Sequence, residues 1–165
     1  MVEEAKVVIL NLGEWWVGNS RETVVAMHGL GSCLGVTLYD PLTKLGAAAH
    51  VVLPNARSGQ EEEAPAKFAD TVLPFLLSQL EEYHCQKHRL VLKAVGGANV
   101  LRFPRPETVL SIGTRNEDTL RKAAKDLDLT IRAADLGGGH GRSMRFSLED
   151  GKILVSGFGR EGLIL

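Results

Sequence analysis

Two residues able to do covalent acyl chemistry stand near each other in this sequence. Cys33 lies in Gly29-Leu30-Gly31-Ser32-Cys33-Leu34-Gly35-Val36, and His50 follows seventeen positions later in Ala47-Ala48-Ala49-His50-Val51-Val52-Leu53. A thiolate attacks an acyl carbon, an imidazole takes the thiol proton and later returns one to the leaving group, and backbone N–H groups hold the oxyanion. Glycines at 29, 31 and 35 let the chain turn tightly around the thiol and let a second molecule come close. Small neighbours leave room beside the His50 ring. An imidazole that activates the thiol should bring its apparent pKa well below the roughly 8.5 of a free cysteine. Taken alone, the pair is equally compatible with a satisfied core histidine and an inert cysteine.

The elements that must position these residues are short. Val7 to Leu10, Trp15 to Val17, Thr23 to Met27, Leu34 to Tyr39 and Ala47 to Leu53 read as strands, punctuated by Gly18-Asn19-Ser20 and Asp40-Pro41. If Cys33 opens one strand and His50 lies on the next, the turn between Asp40 and Gly46 makes them neighbours across a pair. Gly59 to Ala64 reads as an acidic loop. Helical spacing then runs through Phe68, Val72, Phe75, Leu76, Leu80 and Tyr83, with Pro74 requiring a kink or a late start. A strand over Leu90 to Val95 ends in Gly96-Gly97. Thr114 and Glu117 form a capping box ahead of a second helix through Leu120, Ala123, Ala124 and Leu127. Strands at Leu129 to Ala134, Met144 to Leu148 and Ile153 to Ser156 complete the chain. The expected class is α+β: mixed or antiparallel sheets packed face to face and flanked by two main helices, in one domain over residues 1–165.

Composition narrows the partners. The chain has 165 residues, 44% of them apolar and 24% charged, with a formal charge of −1 and no basic block. That balance gives no electrostatic reason to expect nucleic acid or an anionic membrane surface. The apolar runs are much shorter than the roughly 20 residues that span a bilayer, so no membrane insertion is expected. Two cysteines 52 positions apart suit a reducing compartment, and with no recognisable signal peptide the expected location is cytoplasmic.

Other candidates have plainer readings. The loop Gly137 to Arg142 reads as a tight connection at the rim of the site before it reads as an anion cradle, because no Walker pattern follows. Arg115-Asn116, near a helix start, faces either the site or the surface. His84 and His88 flank Cys85 at metal-ligand spacing, but without the glutamate of a zincin they read as a solvated helix face. Trp15-Trp16 reads as one ring in the core and one at an edge.

The ordered segments LGSCLGVTLYDP at 30–41, GAAAHVVLP at 46–54, KFAD at 67–70, GGANV at 96–100, SIGTRN at 111–116 and DLGGGHGR at 135–142, then MRFSLEDGKILV, resemble the CheD family. Gly13-Glu14-Trp15 extends the likeness towards the start. These are the chemoreceptor glutamine deamidases of chemotaxis, so the resemblance implies a Cys-dependent amidohydrolase that converts glutamine side chains of methyl-accepting receptors to glutamate and ammonia. It assigns the nucleophile to Cys33 and the general base to His50, with no metal and no cofactor. The backbone around Ser32 and Gly31, with the Cys33 N–H, is the expected oxyanion site or site rim.

The third catalytic position of the family pattern, a threonine six residues before the cysteine, is Met27 here. A thioether cannot donate a hydrogen bond. Thr23, on the same strand face, is roughly 13 Å away at about 3.3 Å per residue, and His28 points to the opposite face unless the strand bends. The expectation is a weakened enzyme. The alternative that the resemblance leaves open is a non-catalytic chemotaxis protein that binds the phosphatase CheC and stimulates its action on phosphorylated CheY.

Overall fold

The computed structural model describes residues 4–100, 110–157 and 159–165. Among these described residues, ten strands form two five-stranded mixed sheets. The first sheet contains β1 (Lys6–Ile9), β3 (Thr23–Leu30), β8 (Arg142–Ser147), β9 (Ile153–Gly157) and β10 (Arg160–Ile164), in that spatial order. The second runs β2 (Trp15–Gly18), β5 (Leu45–Val51), β4 (Leu34–Asp40), β6 (Val91–Gly96) and β7 (Ile131–Leu136). Helices α2 (Val72–Glu81) and α3 (Ile112–Asp126) pack on the second sheet, and α1 (Gln60–Glu63) is a single turn.

Side-chain alternation makes the second sheet the middle layer. Leu34, Val36 and Leu38 of β4, with Ala47, Ala49 and Val51 of β5, join Leu73, Leu76 and Leu80 of α2 and Leu120 and Ala124 of α3 in one apolar cluster. Tyr39, Ala48 and Val95 point the other way and meet Met27, Leu30, Met144, Phe146 and Ile153 of the first sheet in a second cluster. Strands β4 and β5 are therefore buried along their whole lengths. They read in the sequence as continuous apolar runs because neither face sees water.

The expected class holds, and the differences are local. Pro74 marks a late helix start: α2 begins at Val72, which puts the proline in the first turn, where its missing N–H costs no helical bond. α2 ends at Glu81, so His84 and His88 do not share a helix face; His84 is left-handed and His88 sits in a 3₁₀ turn. The cap of α3 is Ser111, whose Oγ accepts the Thr114 N–H at 3.1 Å, three residues before the expected box. Gly59 to Ala64 contains the turn α1, and strand β10 extends the first sheet beyond the expected set. Trp15 packs edge-on against Phe75, while Trp16 meets the core between the sheets. β6 and β7 pair in parallel with α3 as the crossover between them.

The β4–β5 hairpin is held at its turn by Asp40. Its backbone carbonyl accepts the Lys44 N–H, its Oδ1 accepts the Leu42 N–H, and its Oδ2 accepts both Nε and Nη2 of Arg89 at 2.9 and 2.7 Å. Burial pushes this carboxyl up, but the hydrogen bonds from Arg89, Leu42 and Thr43 outweigh it and hold the pKa at about 2. A carboxyl depressed in the folded state stabilises above its unfolded pKa and loses that contribution as pH falls through the folded value. Thermal melts should therefore show the midpoint falling between about pH 4 and pH 2. Asp40→Asn should flatten that part of the profile while lowering the midpoint at neutral pH.

Candidate active site

Antiparallel pairing sets Gly35 of β4 directly opposite His50 of β5. Cys33 lies two residues before Gly35 and packs on the cluster between the sheets, which places it diagonal to His50 on the face turned towards the first sheet. The two residues singled out in the sequence are thus brought onto one face of adjacent strands. Gly35 has no side chain to separate them. The space a Cβ would occupy is already taken by the sulfurs of Met27 and Met144.

His50 is 4% exposed, and its Nδ1 lies 3.0 Å from the Leu10 carbonyl oxygen. A carbonyl only accepts, so Nδ1 carries a proton, and in the neutral ring Nε2 keeps its lone pair. Nε2 is buried and has no hydrogen-bond partner among the described residues. The strand is pinned on the same side, since the His50 N–H donates to Glu14 O and the Gly13 N–H donates to His50 O, both at 2.9 Å. The imidazole is therefore oriented by backbone from the segment between β1 and β2. Nothing in its sequence advertised this, because a carbonyl acceptor is present at every residue.

Met27, at the position expected to carry a hydroxyl, is fully buried between the sheets. His28 is exposed, as alternation along β3 requires. The expected loss of an orienting hydroxyl at 27 is thus accompanied by a backbone acceptor on His50 Nδ1.

Three consecutive carbonyls hold the turn that presents Cys33. Gly31 O accepts the Ala98 N–H at 2.8 Å, Ser32 O accepts Asn116 Nδ2 at 2.8 Å, and Cys33 O accepts the Gly97 N–H at 2.9 Å. Gly96, with φ of 118°, permits this approach, because a Cβ there would collide with Cys33 O. Behind it stands the loop after β7. Gly137 N–H donates to Gly96 O, and Asn99 N–H donates to Gly138 O. The buried Arg142 guanidinium closes the loop on the carbonyls of Asp135, Gly137 and His140 and pairs with the Asp135 carboxylate at 3.1 Å. The glycine loop is a tight connection, expected at the rim of the site, whose backbone packs against the turn after β6.

Asn116 is the residue the sequence left undecided. It is fully buried, donates from Nδ2 to Ser32 O and to Val52 O, and leaves Oδ1 unpartnered among the described residues. A buried unpaired acceptor costs about 1–3 kcal/mol. It joins the Cys33 turn to the end of the His50 strand.

Burial pushes the Cys33 thiol up, opposite to the expected depression. Desolvation disfavours the thiolate form of this sulfur. Cys85, 3.6 Å from Asp40 Oδ2, is pushed up to about 11 by burial and by the Asp40 charge. Iodoacetamide should therefore modify Cys33 before Cys85. Its rate should climb through an apparent pKa above about 8.5; a plateau already reached below pH 7 would show a preformed thiolate instead.

Comparison with known proteins bears on the whole chain. Residues 52–157 match the family model described as CheD chemotactic sensory transduction. That match begins after Cys33 and His50. A protein of Symbiobacterium thermophilum named probable chemoreceptor glutamine deamidase CheD is 38% identical over 160 residues, 96% of this chain and 97% of its own. Proteins of the same name from Clostridium botulinum strains Hall and Okra are 34% identical over 158 residues, 96% of this chain and 95% of theirs. No helix among the described residues is long and apolar enough to cross a membrane.

Proposed function

The chain belongs to the CheD family, and we propose that it hydrolyses glutamine side-chain amides of chemoreceptors to glutamate and ammonia, with Cys33 as nucleophile and His50 as general base. The observation that carries this reading is the unpartnered Nε2 of an imidazole whose Nδ1 is already committed to Leu10 O, on the same strand face as a half-buried thiol. As Cys33 Sγ bonds to the carboxamide carbon, its proton passes to His50 Nε2 and the carbonyl electron pair moves onto oxygen. The N–H groups of Cys33 and Ser32 face that oxygen, with Gly31 at the rim. His50 returns the proton to nitrogen, ammonia leaves, and a thioester remains. His50 then takes a proton from water, whose oxygen displaces the sulfur to give glutamate and the free thiol.

Met27 gives this site no donor, so turnover rests on the Leu10 carbonyl for ring orientation and runs below that of a site with a hydroxyl there. A second reading, a non-catalytic partner of the phosphatase CheC, draws support from Met27 and from the raised thiol. Incubation with a receptor cytoplasmic fragment, read by peptide mass spectrometry, separates the two. Glutamine conversion should appear with wild type, vanish with Cys33→Ala, and fall about 10²–10⁴-fold with His50→Ala. Met27→Thr should raise conversion. Wild-type conversion no greater than that of Cys33→Ala, with CheC retained in a pulldown, would establish the binding role instead.

A further inference from the structure

The geometry points to Asn116 as the positioning residue of the oxyanion site: by holding Ser32 O, its side-chain amide aims the Cys33 N–H at the reacting carbonyl. This rests on Cys33 being the nucleophile, and it gives the buried Asn116 amide a positioning role in that chemistry.

The argument starts from the peptide plane. No cis peptide occurs among the described residues, so the Ser32–Cys33 unit is trans, and its C=O and N–H point in opposite directions. Asn116 Nδ2 fixes the C=O towards α3 at 2.8 Å. The Cys33 N–H must then point away from α3, the side on which the Cys33 side chain meets the space between the sheets. The neighbouring carbonyls of Gly31 and Cys33 are tied to Ala98 and Gly97, so the turn cannot rotate to relieve this. Neither the Ser32 nor the Cys33 N–H donates to any acceptor among the described residues, which leaves both ready for an oxyanion. Asn116 itself has little freedom. It is fully buried in the first turns of α3, whose Gly113 lies so close to Gly97 and Ala98 that a Cβ would strike their carbonyls. Its other amide hydrogen reaches Val52 O at 3.1 Å, so the side chain bridges the two strands that carry the reacting residues. Turning the amide over would set Oδ1 against two carbonyl oxygens, which fixes its orientation.

Acylation and alkylation of Cys33 separate this role from simple support. With p-nitrophenyl acetate, Sγ bonds to the acyl carbon, its proton goes to His50, an oxyanion forms and collapses, and p-nitrophenolate leaves. Iodoacetamide is attacked at a saturated carbon and forms no oxyanion. Asn116→Leu keeps the branching but lacks the donor, and Asn116→Ala removes the group. Both should acylate about 10²-fold more slowly than wild type while their alkylation rate and its pH profile stay unchanged. A parallel fall in both reactions, no fall in either, or no acylation of Cys33 in wild type would overturn the proposal.

If neither variant folds by thermal melting, wild type still decides. [¹⁵N]Cysteine labelling marks only the amides of Cys33 and Cys85. Adding acetaldehyde forms a hemithioacetal on Cys33, with the thiol hydrogen ending on the new oxygen. The Cys33 amide proton should move downfield relative to S-methylated Cys33, and an unmoved signal would overturn the proposal. Acylation that depends on Asn116, without conversion of receptor glutamine, would sink the deamidase reading and leave this one standing.

Discussion

The register of β4 against β5 is the constraint from which the rest of the site follows. Both strands are buried on both faces, and their side chains alternate between a cluster under the helices and a cluster between the sheets. A slip of one residue would exchange these sets, driving leucines into the narrow space that Gly35 and Gly46 leave for Met144 and Phe146. It would also turn His50 towards α2 and α3. The packing that stabilises the domain is therefore the same packing that keeps Cys33 and His50 on a common face. The turn at Asp40 closes the pair at one end, and Asn116 links the strand backbones at the other.

Much of this was legible because burial leaves a strong trace in sequence. The continuous apolar runs of β4 and β5 and the split roles of Trp15 and Trp16 could be read from residue type and spacing, and Pro74 narrowed α2 to a kinked helix or a late start. The groups that finish the site could not. The Leu10 carbonyl is a backbone atom whose place depends on how β1 pairs with β3, a contact invisible in local pattern. Asn116 looked like any polar residue near the start of an amphipathic helix. Only the approach of α3 to Gly97 and Ala98 buries it. Ser111 was missed as a cap because Thr114 and Glu117 satisfy the same rule one turn later, and the packing of the first turn decided between them.

Within the proposed mechanism, burial of the thiol favours concerted proton transfer over a stored ion pair. Burial disfavours the Cys33 thiolate, and the Leu10 carbonyl fixes Nδ1 of His50 as the donating nitrogen. An imidazolium facing a thiolate here would need both charges kept in a space lined by methionine and leucine, and the Coulomb gain would have to exceed the cost of drying them. The Leu10 carbonyl accepts from Nδ1 and so fixes the ring orientation and leaves Nε2 facing the thiol's side of the sheet.

Met27 fits the same logic. At this position a side chain either orients chemistry or fills the core, and the sulfur of Met27 lies over Gly35, the residue opposite His50. A threonine would shorten the side chain and bring a hydroxyl into an apolar cluster, where it must find a partner to offset its lost hydration. The methionine removes that requirement and fills the volume. What it cannot do is hold a ring, and here the ring is held by Leu10 O, while the thiol is presented by a turn whose three carbonyls are tied down. When orientation is supplied by backbone atoms, a side chain can change without dismantling the geometry.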